Sequence, residues 1–131
     1  MPDPADATSV ADLADSEYVL LTTYRADGTP RPTPVWAALD GDALVVTTTD
    51  STWKVRRVRA QPRVTVAACD VRGHPRGTPV AGVAVVVGAE HLPRVDRALA
   101  AKYGWKLRVT QLLGRLGGSR TSRAGIVVRD A

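Results

Sequence analysis

The residues best suited to chemistry in this sequence are cationic and lie close together. Between positions 51 and 69 the chain has no carboxylate and five cationic side chains: Lys54, Arg56, Arg57, Arg59 and Arg63. Such a cluster either forms a solvated basic face or binds an anion. Spacing alone leaves both interpretations open.

Lys54 favours the anion hypothesis. Segment 51–60 is predicted to form a short helix capped by Ser51, and Lys54 falls in its first turn. A cation there is repelled by the partial positive charge of the helix start, at a cost of about 0.3–1 kcal/mol, whereas the free N–H groups of a helix start bind phosphate. Because hydroxyls of Thr48, Thr49 and Ser51 are close in sequence, we hypothesise that a phosphate binds here.

Residues that commonly act as acids, bases or nucleophiles form no recognisable constellation. The single cysteine, Cys69, excludes an internal disulfide, matches no zinc pattern and is interpreted as a small core residue. His74 and His91 are expected to be exposed or structural, and Tyr24 to be a packing residue. We therefore predict no metal site and assign no catalytic residue.

Composition sets the class of protein. The chain has 131 residues, 44% of them hydrophobic, a net charge of +5 and a pI near 10.0, which fits one globular domain over 1–131 with a phosphorylated or polyanionic partner. Few aromatic residues and no stacking motif argue against nucleic acid. Because no signal-peptide pattern and no apolar run of membrane-spanning length occurs, we expect a cytoplasmic protein.

Hydrophobic patterning predicts a mainly β protein with short helices inserted. Alternating and Val-rich runs separated by turn residues predict antiparallel strands joined mostly by hairpins, which favours a small barrel. The predicted strands are 18–25, 31–39, 43–49, 63–71, 80–92 and 123–129. The predicted helices are a short one capped by Thr8 or Ser9, the basic helix, 93–104 and 105–118.

Two strands contain residues that constrain their position. Pro32 and Pro34 remove two N–H groups from the same side of their strand, so this strand must lie at an edge or face a ligand. Gly82 indicates a bulge or a close backbone approach in the 80–92 strand.

The order of these motifs resembles a known family. A "G-x-P-x-x-x-P-V-W" strand, a Thr-rich strand, "K-V-R-R-V-R-x-x-P-R-V-T-V", a Val-rich strand and "A-A-K-Y-G-W" follow one another between Tyr18 and Val128. This succession is similar to that of the flavin/deazaflavin oxidoreductases of the pyridoxamine-5'-phosphate-oxidase-like (PNPOx-like) split β-barrel superfamily. More narrowly, it looks like that of the small actinobacterial enzymes described as probable users of the deazaflavin coenzyme F420.

The resemblance implies a homodimer of six-stranded antiparallel split β-barrels with a cofactor groove at each end of the subunit interface. It places the cofactor phosphate against Lys54 and Arg57, with Thr48, Thr49 and Ser51 as hydroxyl donors. It places the tricyclic ring along Pro34, Val35 and Trp36, and lets Arg76 reach the partner's cofactor. Trp36 and Trp53 could stack near the cofactor or pack in the core, and Trp105 is expected to anchor a helix or the dimer.

The function implied is hydride transfer between reduced coenzyme F420 and an unsaturated small molecule, with the chemistry carried by the cofactor. An FMN-dependent oxidoreductase of the same fold is an alternative, since both cofactors present a phosphate to the basic helix. A non-catalytic binder of a flavin, a deazaflavin or a tetrapyrrole is another. The expected partners are a second copy of the chain and a small-molecule hydride acceptor, with no nucleic acid and no membrane span.

Overall fold

A computed structural model describes residues 4–49, 52–104 and 123–131. Seven strands make up most of it: β1 (Tyr18–Tyr24), β2 (Pro30–Val35), β3 (Ala38–Asp40), β4 (Ala43–Thr49), β5 (Arg63–Cys69), β6 (Val80–Val87) and β7 (Arg123–Asp130). Two α-helices, α1 (Trp53–Ala60) and α2 (Leu92–Tyr103), and 3-10 turns at Pro4–Asp6 and Val10–Leu13 complete it. The mainly β prediction is confirmed.

All seven strands join one antiparallel sheet in the order β2-β1-β5-β6-β7-β4-β3. The two edge strands, β2 and β3, are consecutive in the chain and are separated only by Trp36 and Ala37. Three peptide units span at most about 11 Å, so the sheet must curl until its edges meet at this point. The six strands expected are therefore present, with the second divided into β2 and β3 where it crosses from one edge to the other.

The prolines of β2 occupy the free side of the edge strand. Pro30, Pro32 and Pro34 alternate along β2, and every residue of β2 pairs with β1. Since a proline has no N–H to donate, these positions must face away from β1. The predicted edge position is confirmed.

Alternation along the strands separates the barrel interior from its outer face. In β1, for example, the side chains of Val19, Leu21 and Thr23 are buried and those between them are half-buried. The inward side chains, among them Leu44, Val66 and Ile126, form the main core. Gly82 is paired with both neighbouring strands without a bulge. A Cβ added at this position would lie 2.8 Å from Val128 Cγ1, so the glycine is needed for a close approach, one of the two alternatives predicted from the sequence.

The helical segments cover the barrel. Buried Val10 and Leu13 belong to the barrel core, and the N–H of Val10 donates to Asp130 Oδ1 at 2.8 Å. Helix α1 contacts β1 and β6 and buries Val55 and Val58. Helix α2 covers the outer face of β3 and β4 with Val95, Leu99 and Tyr103.

Several predicted boundaries move. The cap of α1 is Thr52, which accepts the Val55 N–H at 3.5 Å, and not Ser51. Strand β5 ends at Cys69 because Asp70 Oδ1 accepts the N–H groups of Arg72 and His74 in a turn. Strand β6 ends at Val87, before a turn in which His91 N–H donates to the Gly88 carbonyl.

The predicted helix 105–118, Trp105 and Ser51 lie outside the described residues. None of the helices in the described part of the chain is long and apolar enough to cross a membrane.

Candidate functional site

The barrel wall is open between β2 and the end of β4. Strand β3 pairs with β4 through Ala38 and Val45, but β2, which precedes β3, pairs only with β1. Among the described strands, none pairs with the last residues of β4, from Val46 to Thr49, on this side, although β7 pairs with them on the other. We call this gap between β2 and residues 46–49 the split. We call its end at Trp36, next to the pairing of β3 with β4, the closed end, and its end at α1, which follows β4, the open end.

Arginine side chains from two elements meet at the open end of the split. Arg57 Nε donates to Thr23 Oγ1 at 2.6 Å, and Thr23 is fully buried. Burial, Arg31 and Arg25 together lower the pKa of Arg57. Within the described part of the chain no carboxylate forms an ion pair with these three guanidinium groups. Crowded cations of this kind favour a bound anion.

Lys54 lies next to this group at the start of α1. It is half-buried, and burial, followed by the charge of Arg57, lowers its pKa. Thr48 Oγ1 and Thr52 Oγ1 are 3.4 Å apart, which places two hydroxyl groups where β4 passes into α1. Thr49 is adjacent to Thr48 in β4, so alternation directs its side chain to the opposite face of the strand.

A cavity of about 390 Å³ lies between α1 and the β1–β2 turn. The residues that line it include two aromatic residues and three arginines: Tyr24, Trp53, Arg25, Arg56 and Arg57. Trp53 is 68% exposed, and Arg56 lies over its ring at 4.9 Å. Trp53 is thus a surface residue beside the cationic group and not a core residue.

Pro34, Val35 and Trp36 lie at the other, closed end of the split. In the β1–β2 pair Val35 lies opposite Val19, and Arg31 lies opposite Thr23. Four residues of antiparallel strand span about 14 Å. A ligand whose phosphate binds at α1 and whose ring contacts Pro34–Trp36 must therefore extend along β2. The Trp36 ring is stacked on Tyr103, with centroids 4.6 Å apart.

Within one chain, Arg76 lies apart from the cationic group at the start of α1. It is exposed and lies at the start of β1, on a cavity of about 590 Å³ that Tyr18, Cys69 and Asp70 also line. The length of β1 separates it from Arg57, and so Arg76 is not part of the cationic group at the open end of the split. The expected contact with a partner's cofactor stays a prediction.

The other singled-out residues have structural surroundings. Cys69 is buried, as expected, and burial raises the pKa of its thiol. His74 is exposed and pairs with Asp70 at 3.1 Å, and His91 is exposed. No group of three metal-ligating side chains occurs among the described residues.

Sequence reasoning missed three residues of the cationic site: Thr23, Arg25 and Arg31. A signal was available, because the predicted strands 18–25 and 31–39 were expected to form a hairpin. Pairing across that hairpin places Arg31 opposite Thr23 and brings Arg25 N–H to the Thr29 carbonyl at 3.0 Å. Their approach to Arg57 depends on where α1 packs, which the sequence pattern does not contain.

The residues present fit a phosphate-bearing cofactor. Cationic donors that form no ion pair among the described residues, neighbouring hydroxyls and an open groove provide the donor set that phosphate requires. The free side of β2 offers carbonyl oxygens and apolar rings with no N–H at three positions, a surface suited to a flat ring.

Comparisons with known proteins agree with this geometry. The sequence profile of the family described as pyridoxamine 5'-phosphate oxidase matches residues 6–127. Among curated proteins no significant match was found.

Solved structures show the same fold. A structure named F420 reductase is 26% identical, has a TM-score of 0.59, and the match covers 100% of this chain and 96% of that one. A pyridoxamine 5'-phosphate oxidase-related, FMN-binding protein of Nostoc punctiforme is 14% identical, with a TM-score of 0.55 and coverage of 87% and 70%. The heme storage protein HutZ of Vibrio cholerae is 13% identical, with a TM-score of 0.64 and coverage of 89% and 83%.

Proposed function

Because the chain belongs to the pyridoxamine 5'-phosphate oxidase family, we propose that it is an oxidoreductase that transfers a hydride between reduced coenzyme F420 and an unsaturated small molecule. The observation that carries this proposal is the group of cationic side chains at the open end of the split, which forms no ion pair with a carboxylate among the described residues. The 26% identity to an F420 reductase over the whole chain supports the deazaflavin over FMN.

In this proposal the phosphate binds at the start of α1. Lys54 and Arg57 supply charge-assisted hydrogen bonds, and Thr48, Thr49 and Ser51 supply hydroxyl groups. Thr48 has the better placement of the two β4 threonines, since it shares its side of the strand end with Thr52. Arg25 and Arg31 extend the positive surface beyond the two residues expected from the sequence.

The ring lies along the free side of β2. Pro34, Val35 and Trp36 support it, and the cofactor supplies the hydride chemistry when it is bound. The chain's contribution is to orient the ring, exclude water and leave one ring face open to the acceptor. No side chain is assigned as a proton donor.

A titration tests the cofactor assignment. We expect oxidised coenzyme F420 to bind with a Kd below about 100 µM, which corresponds to about 5.5 kcal/mol, and its fluorescence to be quenched on binding. FMN titrated in parallel should bind more weakly. Tighter binding of FMN would assign the alternative cofactor, and binding without turnover of enones, quinones or biliverdin would indicate a carrier. Binding of neither cofactor would refute the proposal.

Thr23→Val should weaken cofactor binding through Arg57. The substitution keeps the volume of the side chain but removes the hydroxyl that accepts from Arg57 Nε. Losing one hydrogen bond should cost about 0.5–1.5 kcal/mol, or about twofold to tenfold in Kd, measured by the same titration. Thr22→Val, on the other face of β1, is the matched control and should leave Kd unchanged. Equal effects of the two variants would contradict this role of Arg57.

The active form in this proposal is a homodimer. Strand β6 lies inside the sheet, yet its outer face exposes Val83 (38%) and Val85 (51%). Exposed apolar side chains that share one sheet face often mark an interface. In this proposal the second chain also brings its Arg76 towards the cofactor of its partner.

Val85→Lys should convert the dimer to a monomer. A lysine at the centre of this face would have to lose its hydration in the interface, and sedimentation velocity at micromolar concentration would measure the change. Ala101→Lys, an exposed position on α2, adds the same charge elsewhere and should stay dimeric. A monomeric wild-type protein, or a dimer unaffected by Val85→Lys, would contradict this interface.

A further inference from the structure

Side chains from the last turn of α2 bind the backbone between β2 and β3, where the edge strand is interrupted. Strand β2 ends at Val35 and β3 begins at Ala38, so the peptide groups between them have no ladder partner. Ala37 is fully buried, and a buried backbone N–H or carbonyl needs a hydrogen bond. Side chains of Lys102 and Tyr103 supply these bonds.

One assignment of protons gives each of these groups a hydrogen bond. Tyr103 Oη lies 3.0 Å from Ala37 N, 2.7 Å from the Glu17 carbonyl and 3.0 Å from the Ala37 carbonyl. A phenol has a single proton, so it accepts from the Ala37 N–H and donates to the nearer carbonyl, that of Glu17. Lys102 Nζ then donates hydrogen bonds to the Ala37 carbonyl at 2.6 Å and to the Ser16 carbonyl at 2.7 Å.

These two residues therefore join three parts of the chain. The segment before β1 is held through the carbonyls of Ser16 and Glu17, and the interruption of the edge strand is held through both polar groups of Ala37. The Tyr103 ring also stacks on Trp36, at an interplanar angle of 9°. Trp36 is thus fixed by its ring and by the backbone that follows it.

Lys102 lies in a more buried and more constrained position than an ordinary surface lysine. Burial lowers the pKa of Lys102 to about 8, although the charges of Asp15 and Glu17 favour its protonated form. Lys102 Nζ also lies 5.0 Å from the centroid of the Tyr103 ring. The Tyr103 ring is stacked on Trp36, and α2 ends at Gly104 with φ 57°. Both features restrict the conformations of Lys102 and Tyr103.

We propose that Lys102 and Tyr103 are positioning residues that fix Pro34, Val35 and Trp36 against the cofactor ring, an inference that rests on the function proposed above. The phosphate group binds about 14 Å away along β2, at Lys54 and Arg57. Affinity and ring orientation are therefore controlled by different ends of the split, and each can be changed separately.

Two variants test this separation. Lys102→Met keeps the aliphatic stem and removes the donors, and Tyr103→Phe keeps the stacked ring and removes the hydroxyl. Arg97→Met, exposed on the same helix, is the control. For each protein the Kd of oxidised coenzyme F420, the induced circular dichroism of the bound ring and the single-turnover rate of reduced cofactor oxidation by menadione are measured. Hydrogen exchange at the Ala37 amide is followed without cofactor.

We expect both variants to keep Kd within about threefold of wild type, to change the dichroism of the bound ring, to slow the single turnover at least tenfold and to speed Ala37 exchange at least tenfold. The control should match wild type in all four. If the wild-type protein binds coenzyme F420 and both variants keep its dichroism and rate, the inference is wrong and the proposed function stands. If the wild-type protein binds neither F420 nor FMN, the proposed function is wrong and the inference falls with it. If none of the four proteins reduces menadione, the induced circular dichroism of the bound ring alone tests the inference, and an unchanged spectrum in both variants would refute it.

Discussion

Lys54→Ala should weaken the binding of coenzyme F420 by about 1.5–3 kcal/mol, the range for a hydrogen bond to a charged group, or about tenfold to 150-fold in Kd. Lys54 is half-buried beside Arg57, and both burial and that neighbour lower its pKa. The unliganded protein thus keeps a cation where its surroundings disfavour charge. Because the substitution relieves this repulsion, the free energy of unfolding should not fall by more than about 0.5 kcal/mol.

Fluorescence titration and urea denaturation measure the two quantities. Arg97→Ala, exposed on α2, is the control, since it removes one positive charge from a different surface. A similar loss of affinity in both variants would indicate a general effect of net charge. An unchanged Kd in Lys54→Ala would place the phosphate away from the start of α1 and remove the main support for the proposed site.

Ile126→Ala should lower the free energy of unfolding by about 2–5 kcal/mol. Ile126 is fully buried in β7, where it pairs with Val46 of β4 and Val86 of β6. Its side chain belongs to the barrel core. Truncation would leave a cavity between strands that are hydrogen-bonded on both sides and cannot move together to fill it.

Urea denaturation at a fixed protein concentration would measure this loss. Arg129→Ala, exposed on the same strand, should change the unfolding free energy by no more than about 0.5 kcal/mol. A loss below about 1 kcal/mol in Ile126→Ala would mean that the barrel interior is less tightly packed than the structure shows. An equal loss of unfolding free energy in Arg129→Ala would show that any substitution in β7 has this effect and that it does not come from core packing.

Local rules predicted most of the fold. Hairpin signals, alternation and the Pro32–Pro34 pair placed the strands and the edge, and each depends on residues that are neighbours in the chain. The interruption at Trp36–Ala37 was not predicted. It arises because one strand serves both edges of a curled sheet, and the groups that stabilise it, Lys102 and Tyr103, are more than sixty residues away.

The candidate site divides in the same way. Lys54 could be proposed from the helix pattern, because a cation in the first turn is unfavourable without an anion, and Arg57 was implied by the family resemblance. Thr23, Arg25 and Arg31 could not, since their contact with Arg57 requires α1 to pack over the end of β1. The roles of all nine predicted residues towards a cofactor stay predictions: Pro34, Val35, Trp36, Thr48, Thr49, Ser51, Lys54, Arg57 and Arg76.

By itself the sequence determined which segments form strands, which strand is an edge and where positive charge accumulates. These properties follow from backbone restrictions and hydrophobic periodicity within about ten residues. Only the tertiary structure decided that the edge strand crosses the split, that three arginines share its open end and that α2 holds its closed end. Those relations join residues far apart in the chain, and their geometry is set by strand register and helix packing, which no local pattern contains.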